Sequence, residues 1–198
     1  MHTTTQALQK LPDDWEKQCE DAILCLSYNI KLFNIPVELV TNADQTSMCL
    51  VPAGNKTWAP VGAKQVAAMA KEEKCQFTLM VATSAAGEVV PFQSIHKGKT
   101  GVSLPSQESH AEGEKMGILW TPGGLTHWSS ILSMKVWVDK VLEPHIQHQQ
   151  KSILLIDVWS VHHSEEFTEW MKDKHPNIKI GFIPGGCMCS LSWFDDIS

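Results

Sequence analysis

The chain has 198 residues, 43% of them hydrophobic, with 16 lysines and arginines against 22 aspartates and glutamates, for a formal charge of −6. That length fits one domain with a single sizeable core, and the apolar fraction excludes a disordered chain. The acidic balance excludes a protein that grips nucleic acid through an overall basic surface, so any such role must rest on a local site or on another module.

No run approaches the roughly 18 apolar residues that span a bilayer, and the opening MHTTTQALQKLPDDWEKQ lacks the apolar region of a signal peptide. The expectation is an intracellular protein with no membrane partner. Its six cysteines are scattered without a C-x-x-C pair, which points to reduced thiols rather than a disulfide framework or zinc knuckle.

In chain order, Trp15, Cys19, Ala22, Ile23, Leu26, Ile30 and Phe33 recur at the helical period and predict a helix from about Asp14 to Phe33. Asp13 with Glu16 reads as its capping signal, and Pro36 closes it. VELVTNADQT follows as a short apolar strand running into Asp44, and CLVPAG with KTWAP reads as a hairpin. QFTLMVATSAAGEVVPFQSIHKG predicts two strands joined at Ala86-Gly87, with Phe77, Leu79 and Val81 alternating before the turn. Thr100 to Thr126 is rich in Gly, Ser and Pro without a period and reads as a long surface excursion. A helix from about Ser130 to Gln149 comes next, which Pro144 should bend or end.

SILLID then predicts a buried strand, Ser164 to Lys174 a helix over Phe167, Trp170 and Met171, and IKIGFIP a last strand. Trp15, Trp137 and Trp170 all read as core. Early strands followed by helix, strand, helix and strand predict an α/β fold, a mixed sheet with helices packed on it, whose last strand–helix–strand run is a parallel unit. Functional residues belong at the carboxyl ends of such strands.

Two aspartates fit that rule. Asp44 and Asp157 each come at or just beyond the end of an apolar strand, and Asp195 follows the last strand after a Gly-rich turn. Neighbouring carboxylates repel unless a divalent cation neutralises them, and oxygen-only ligands suit Mg²⁺ or Mn²⁺. Other combinations read as incidental. His162-His163 with Cys187 and Cys189 lacks the spacing of a structural zinc site, and His110-Ala111-Glu112 lacks the P-C-x-x-C of a zinc deaminase. The cluster of His96, Lys97 and Lys99 reads as a solvated turn, with contact to a phosphate backbone as the other reading.

NADQT around Asp44, LLIDVWSVHHSEEF around Asp157 and IKIGFIPGGC leading to Asp195 resemble, in that order, the catalytic core of DDE-type transposases of the mariner–pogo group. The pogo/Tigger-like "DDE-1" branch, with its fungal members, is the nearest match, over roughly Leu11 to Asp195. The resemblance implies a ribonuclease H-like fold over 36–198 with an N-terminal helical segment, 1–35, packed on it as one structural unit. It implies two Mg²⁺ or Mn²⁺ ions held by Asp44, Asp157 and Asp195, His162 orienting a carboxylate or phosphate, and metal-dependent hydrolysis and strand transfer on DNA in the nucleus. SWFDD stands where the family has Q-P-x-D, which leaves Asp195 or Asp196 as the third acid, with register favouring Asp195. The family's last helix and its upstream helix-turn-helix have no counterpart here, so DNA binding is expected to be weak. The alternative implied is a truncated or domesticated remnant, catalytically silent, that binds nucleic acid or protein; a homodimer is open under either reading.

Overall fold

A computed structural model of the protein describes residues 13–49, 76–146, 150–157, 161 and 164–184. Helix α1 spans Trp15–Phe33. Its inward stripe is the one the period predicts, with Cys19 buried and the other apolar positions half-buried. The Asp13/Glu16 capping signal is not used: Asp14 occupies the cap without accepting a helix backbone amide, and its Oδ1 accepts from Gln18 Nε2 at 2.8 Å instead. The helix ends before Pro36, at Asn34, whose left-handed backbone (φ 48°) lets the Asn34 and Ile35 amides return to carbonyls of the last turn.

Strand β1 is Val40–Cys49, β2 is Gln76–Ser84 and β3 is Val89–His96. The hairpin between β2 and β3 forms at the predicted turn, closed by the Gly87 amide on the Ser84 carbonyl and the Ser84 amide on the Glu88 carbonyl. In β2 the fully buried residues are Thr78, Met80, Ala82 and Ser84. Phe77, Leu79 and Val81, which alternation nominates as the buried face, are half-buried, so this strand is covered on both sides.

The stretch from Thr100 to Thr126 is not a structureless excursion. It holds helix α2, Gln107–Lys115, and strand β4, Leu119–Pro122. The Ser106 hydroxyl caps α2 by accepting from the Ser109 amide, and the Trp120 ring lies against Gly113, where a Cβ would collide with it.

Beyond it, Ser130 and Ser133 form a reciprocal capping box that starts helix α3, Ile131–Trp137. The chain then widens into a π-helical segment, Val138–Leu142, before the short helix α4, Glu143–His145. Pro144 lacks an amide and clashes with the carbonyl four residues back, and the wider turn accommodates both demands, so the helix bends its ladder rather than stopping at Pro144.

Strand β5 is Ser152–Asp157, helix α5 is Glu165–Lys174 and strand β6 is Ile178–Ile183, close to the predicted bounds. Ser164 caps α5 by accepting from the Phe167 amide at 3.3 Å. Phe167 and Met171 are fully buried; Trp170 is half-buried with its ring against His175. Of the other tryptophans, Trp137 is fully buried and Trp15 is half-buried.

The strands form a mixed sheet in the order β4-β3-β2-β1-β5-β6. β1 and β5, β5 and β6, and β3 and β4 pair in parallel. The Ala85 amide, just past the end of β2, bonds the Val40 carbonyl at the start of β1, so β2 runs against β1. The chain divides into two compact units, one taking in the described residues of Met1–Asp44, Ala82–Val90 and Leu142–Ser198, the other those of Gln45–Val81 and Pro91–Val141. The first packs Leu39, Val40, Ile153, Leu154, Ile156 and Phe167 in its core; the second packs Met80, Ile95, Met134, Trp137 and Val138.

In the first unit, Glu143 Oε2 and His175 Nδ1 meet at 2.8 Å, both side chains buried, tying the start of α4 to the end of α5. The predicted hairpin of CLVPAG and KTWAP and the predicted final turn lie outside the described residues.

Candidate functional site

Asp157 is the last residue of β5, at its carboxyl end, as its sequence predicts. Asp44 is not at a strand end: β1 continues five residues past it to Cys49, because TSMC keeps extended backbone although its side chains are exposed. The apolar run that suggests an earlier end reflects only where burial stops.

The parallel ladder between β1 and β5 sets Val40 opposite Ile153, Thr41 opposite Leu154 and Asn42 opposite Leu155. Carried two residues further at the same offset, the register aligns Asp44 with Asp157. Adjacent strands lie about 4.8 Å apart, and side chains alternate, so Asn42 and Asp44 share a face with Leu155 and Asp157. The flanking residues of the opposite face, Thr41, Ala43, Leu154 and Ile156, are buried, and the two aspartates are half-buried. The burial of their neighbours fixes the backbone that carries the acids, while the acids themselves keep access to solvent.

Two carboxylates so aligned offer a hard, oxygen-only donor set, which fits Mg²⁺ or Mn²⁺ and does not suit a soft metal. Among the described residues no group of three or more His, Cys, Asp and Glu side chains is assembled for a metal. Asp195, Asp196 and His162, with His163, Cys187 and Cys189, lie outside the described residues.

The remaining sequence signals take structural roles. His96 stacks on Phe77 with ring centroids 5.0 Å apart, contacts Trp120 at 5.5 Å, and pairs its Nε2 with Ser94 Oγ at 2.9 Å. Burial holds its pKa below the usual 6.5. His110 stacks on Trp120 and pairs with Glu114 at 3.3 Å, which explains its place on α2 without the neighbouring Glu112.

What sequence reasoning missed is a convergence of lysines on Phe33: Lys151 Nζ lies 3.9 Å and Lys179 Nζ 5.6 Å from the ring centroid. No spacing rule links the three residues; only the docking of α1 on the starts of β5 and β6 does.

A mixed sheet flanked by helices, with an aspartate-bearing pair of adjacent parallel strands, defines the fold as ribonuclease H-like. Solved structures to which the chain is similar include the Mos1 transposase paired-end complex with left transposon end, at a TM-score of 0.50 and 12% identity. The Mos1 mariner paired-end complex with Mn has the same TM-score at 11% identity. In both, the match covers 91% of this chain and 46% of the solved chain, so the protein spans just under half the length of these neighbours. At such identities the likeness is one of fold. No protein-family model and no curated protein matches the chain.

Proposed function

We propose that the protein is a transposase-derived DDE domain, of the pogo/Tigger-like branch, that binds DNA and cuts and joins phosphodiester bonds with divalent metal. The observation that carries this reading is the parallel register of β1 and β5, Val40–Asn42 beside Ile153–Leu155, which carried two residues further sets Asp44 level with Asp157. The three sequence words around Asp44, Asp157 and Asp195 support it, as does the shared fold with a transposase solved with transposon DNA.

In this reading Asp44, Asp157 and Asp195 would hold two Mg²⁺ or Mn²⁺ ions. Bound there, the ions would activate a water, then a DNA 3′-hydroxyl, and neutralise the leaving oxygen. The chain's own contribution is positional. β1 and β5 carry the two carboxylates on one face of the sheet, and buried Ala43 and Ile156 keep their backbones from shifting. By the family resemblance, His162 would orient the Asp157 carboxylate or a substrate phosphate. In this reading the protein would act on DNA in the nucleus.

Calorimetry with Mn²⁺ tests the reading. Binding that is lost in Asp157→Ala and in Asp44→Ala, together with Mn²⁺-dependent nicking of duplex DNA that is lost in the same variants, is expected. Binding that survives Asp157→Ala overturns the metal site. Binding without nicking identifies the silent, DNA-holding remnant instead.

A further inference from the structure

Lys151 immediately precedes β5, and Lys179 is the second residue of β6, opposite Ile153 in the parallel register. Both side chains are exposed, and both direct their ammonium groups to one ring, that of Phe33 at the end of α1, at 3.9 and 5.6 Å. Lys31 in the last turn of α1 and Lys172 in the last turn of α5 are exposed as well. Lys174, beside Lys172, is already paired with Asp173 at 3.2 Å. Among the described residues neither Lys151 nor Lys179 has an ion-pair partner.

In a chain of formal charge −6 this is an uncompensated focus of positive charge. The ring attracts each cation, but it neutralises neither, and it holds two like charges together that would otherwise spread apart. An ammonium over an aromatic face still has outward N–H groups to donate. Because the ring restricts both lysine stems, less side-chain freedom is lost when an anion arrives.

The geometry points to a contact for the phosphate backbone of duplex DNA, made by Lys151 and Lys179 and braced by Phe33, at the end of β5 opposite to Asp157. The assignment rests on the DNA-binding reading above and extends it to a second place on the chain. Two exposed point charges, without enclosing walls or directional donors, suit a polyanion held by charge number rather than a small anion held by shape. The contact is indifferent to base sequence and would anchor DNA away from the acids.

Fluorescence anisotropy of a labelled short duplex, titrated across a salt series, tests it. Each phosphate contact contributes about 0.9 to the slope of log affinity against log salt. The double variant Lys151→Gln/Lys179→Gln should therefore bind more weakly, with a slope shallower by about 2, at an unchanged unfolding midpoint. Phe33→Leu, which keeps both charges, should lower affinity a few-fold while retaining most of the slope. Lys97→Gln/Lys99→Gln should leave the slope as it is. An unchanged slope in the first double variant, an equal fall in the Lys97/Lys99 control, or no binding by the wild type overturns the contact. Calorimetry with Mn²⁺ on the same proteins keeps the two readings apart: metal binding with an unchanged slope defeats this surface alone, and loss of slope without metal binding defeats the catalytic reading alone.

Discussion

Replacing Asp44 by asparagine should stabilise the metal-free protein, the reverse of what most substitutions in a central strand do. Carried two residues past the Asn42–Leu155 pair, the register of β1 and β5 sets Asp44 level with Asp157, and neighbouring strands are about 4.8 Å apart. Two unit charges at about 5 Å repel by about 3.3 kcal/mol at an effective dielectric of 20 and about 0.8 kcal/mol in bulk water. Both side chains are half-buried, so solvent screens the pair toward the lower end of that range, and an isosteric neutral side chain should relieve about 1 kcal/mol of that repulsion. For a chain of this length that corresponds to a rise of about 2–4 °C in Tm. The assay is thermal unfolding in EDTA and then in excess Mn²⁺. In EDTA Asp44→Asn should melt above the wild type, and Mn²⁺ should raise the wild type and leave the variant nearly unmoved. A variant that melts lower in EDTA, and that Mn²⁺ stabilises as much as it does the wild type, would refute the alignment of the two acids.

Other consequences follow from packing and protonation. Leu154→Ala, at a fully buried position of β5, should cost about 2–5 kcal/mol in urea unfolding, with the slope against urea unchanged. Gly123→Ala should cost about 1–3 kcal/mol, because a Cβ there would lie 2.6 Å from the Thr126 carbonyl and 2.8 Å from Ile95, whereas Gly101→Ala meets nothing within 4 Å and should be near neutral. His96 has its pKa lowered by burial, so the unfolded chain takes up a proton that the folded chain resists. Stability from this source is complete above about pH 6.5 and declines as pH falls below it; His96→Asn should flatten that decline, measured as urea midpoints from pH 7.5 to 5. A slope unchanged by the substitution would show that other groups set the acid limb.

Much of the fold is readable where burial imposes a period. The stripe from Trp15 to Phe33 and the run SILLID announce α1 and β5 because one face, or both, must avoid water. α2 and β4 escape this kind of reading for a physical reason. QESHAEGEK is polar nearly all round, so its helix depends on the Ser106 cap and on Trp120 packing at Gly113, and LWTP is too short to show alternation. The extra width of Val138–Leu142 is similarly invisible, since Pro144 announces a disturbance without saying how the ladder absorbs it. At the site, SILLID points to Asp157 as a strand-end acid, but its alignment with Asp44 is a matter of register between strands more than a hundred residues apart, which no local pattern encodes. The lysines around Phe33 illustrate the same limit, because their convergence exists only once α1 lies across β5 and β6.

The loops that leave β3 and β4 are joined to one another. Gly98 and Gly124 exchange both of their amide–carbonyl bonds, at 2.9 and 2.8 Å, and the Gly123 amide reaches the His96 carbonyl at 2.6 Å. Gly98 has φ 137°, and a Cβ there would collide with Ser103, so the link requires glycine at that position. In hydrogen-exchange terms these three loop amides should behave as one cooperative unit with the strands behind them, opening together and late, while the neighbouring segment around Val102 exchanges at once. Though it connects elements as a loop, in solution this segment should keep time with the sheet.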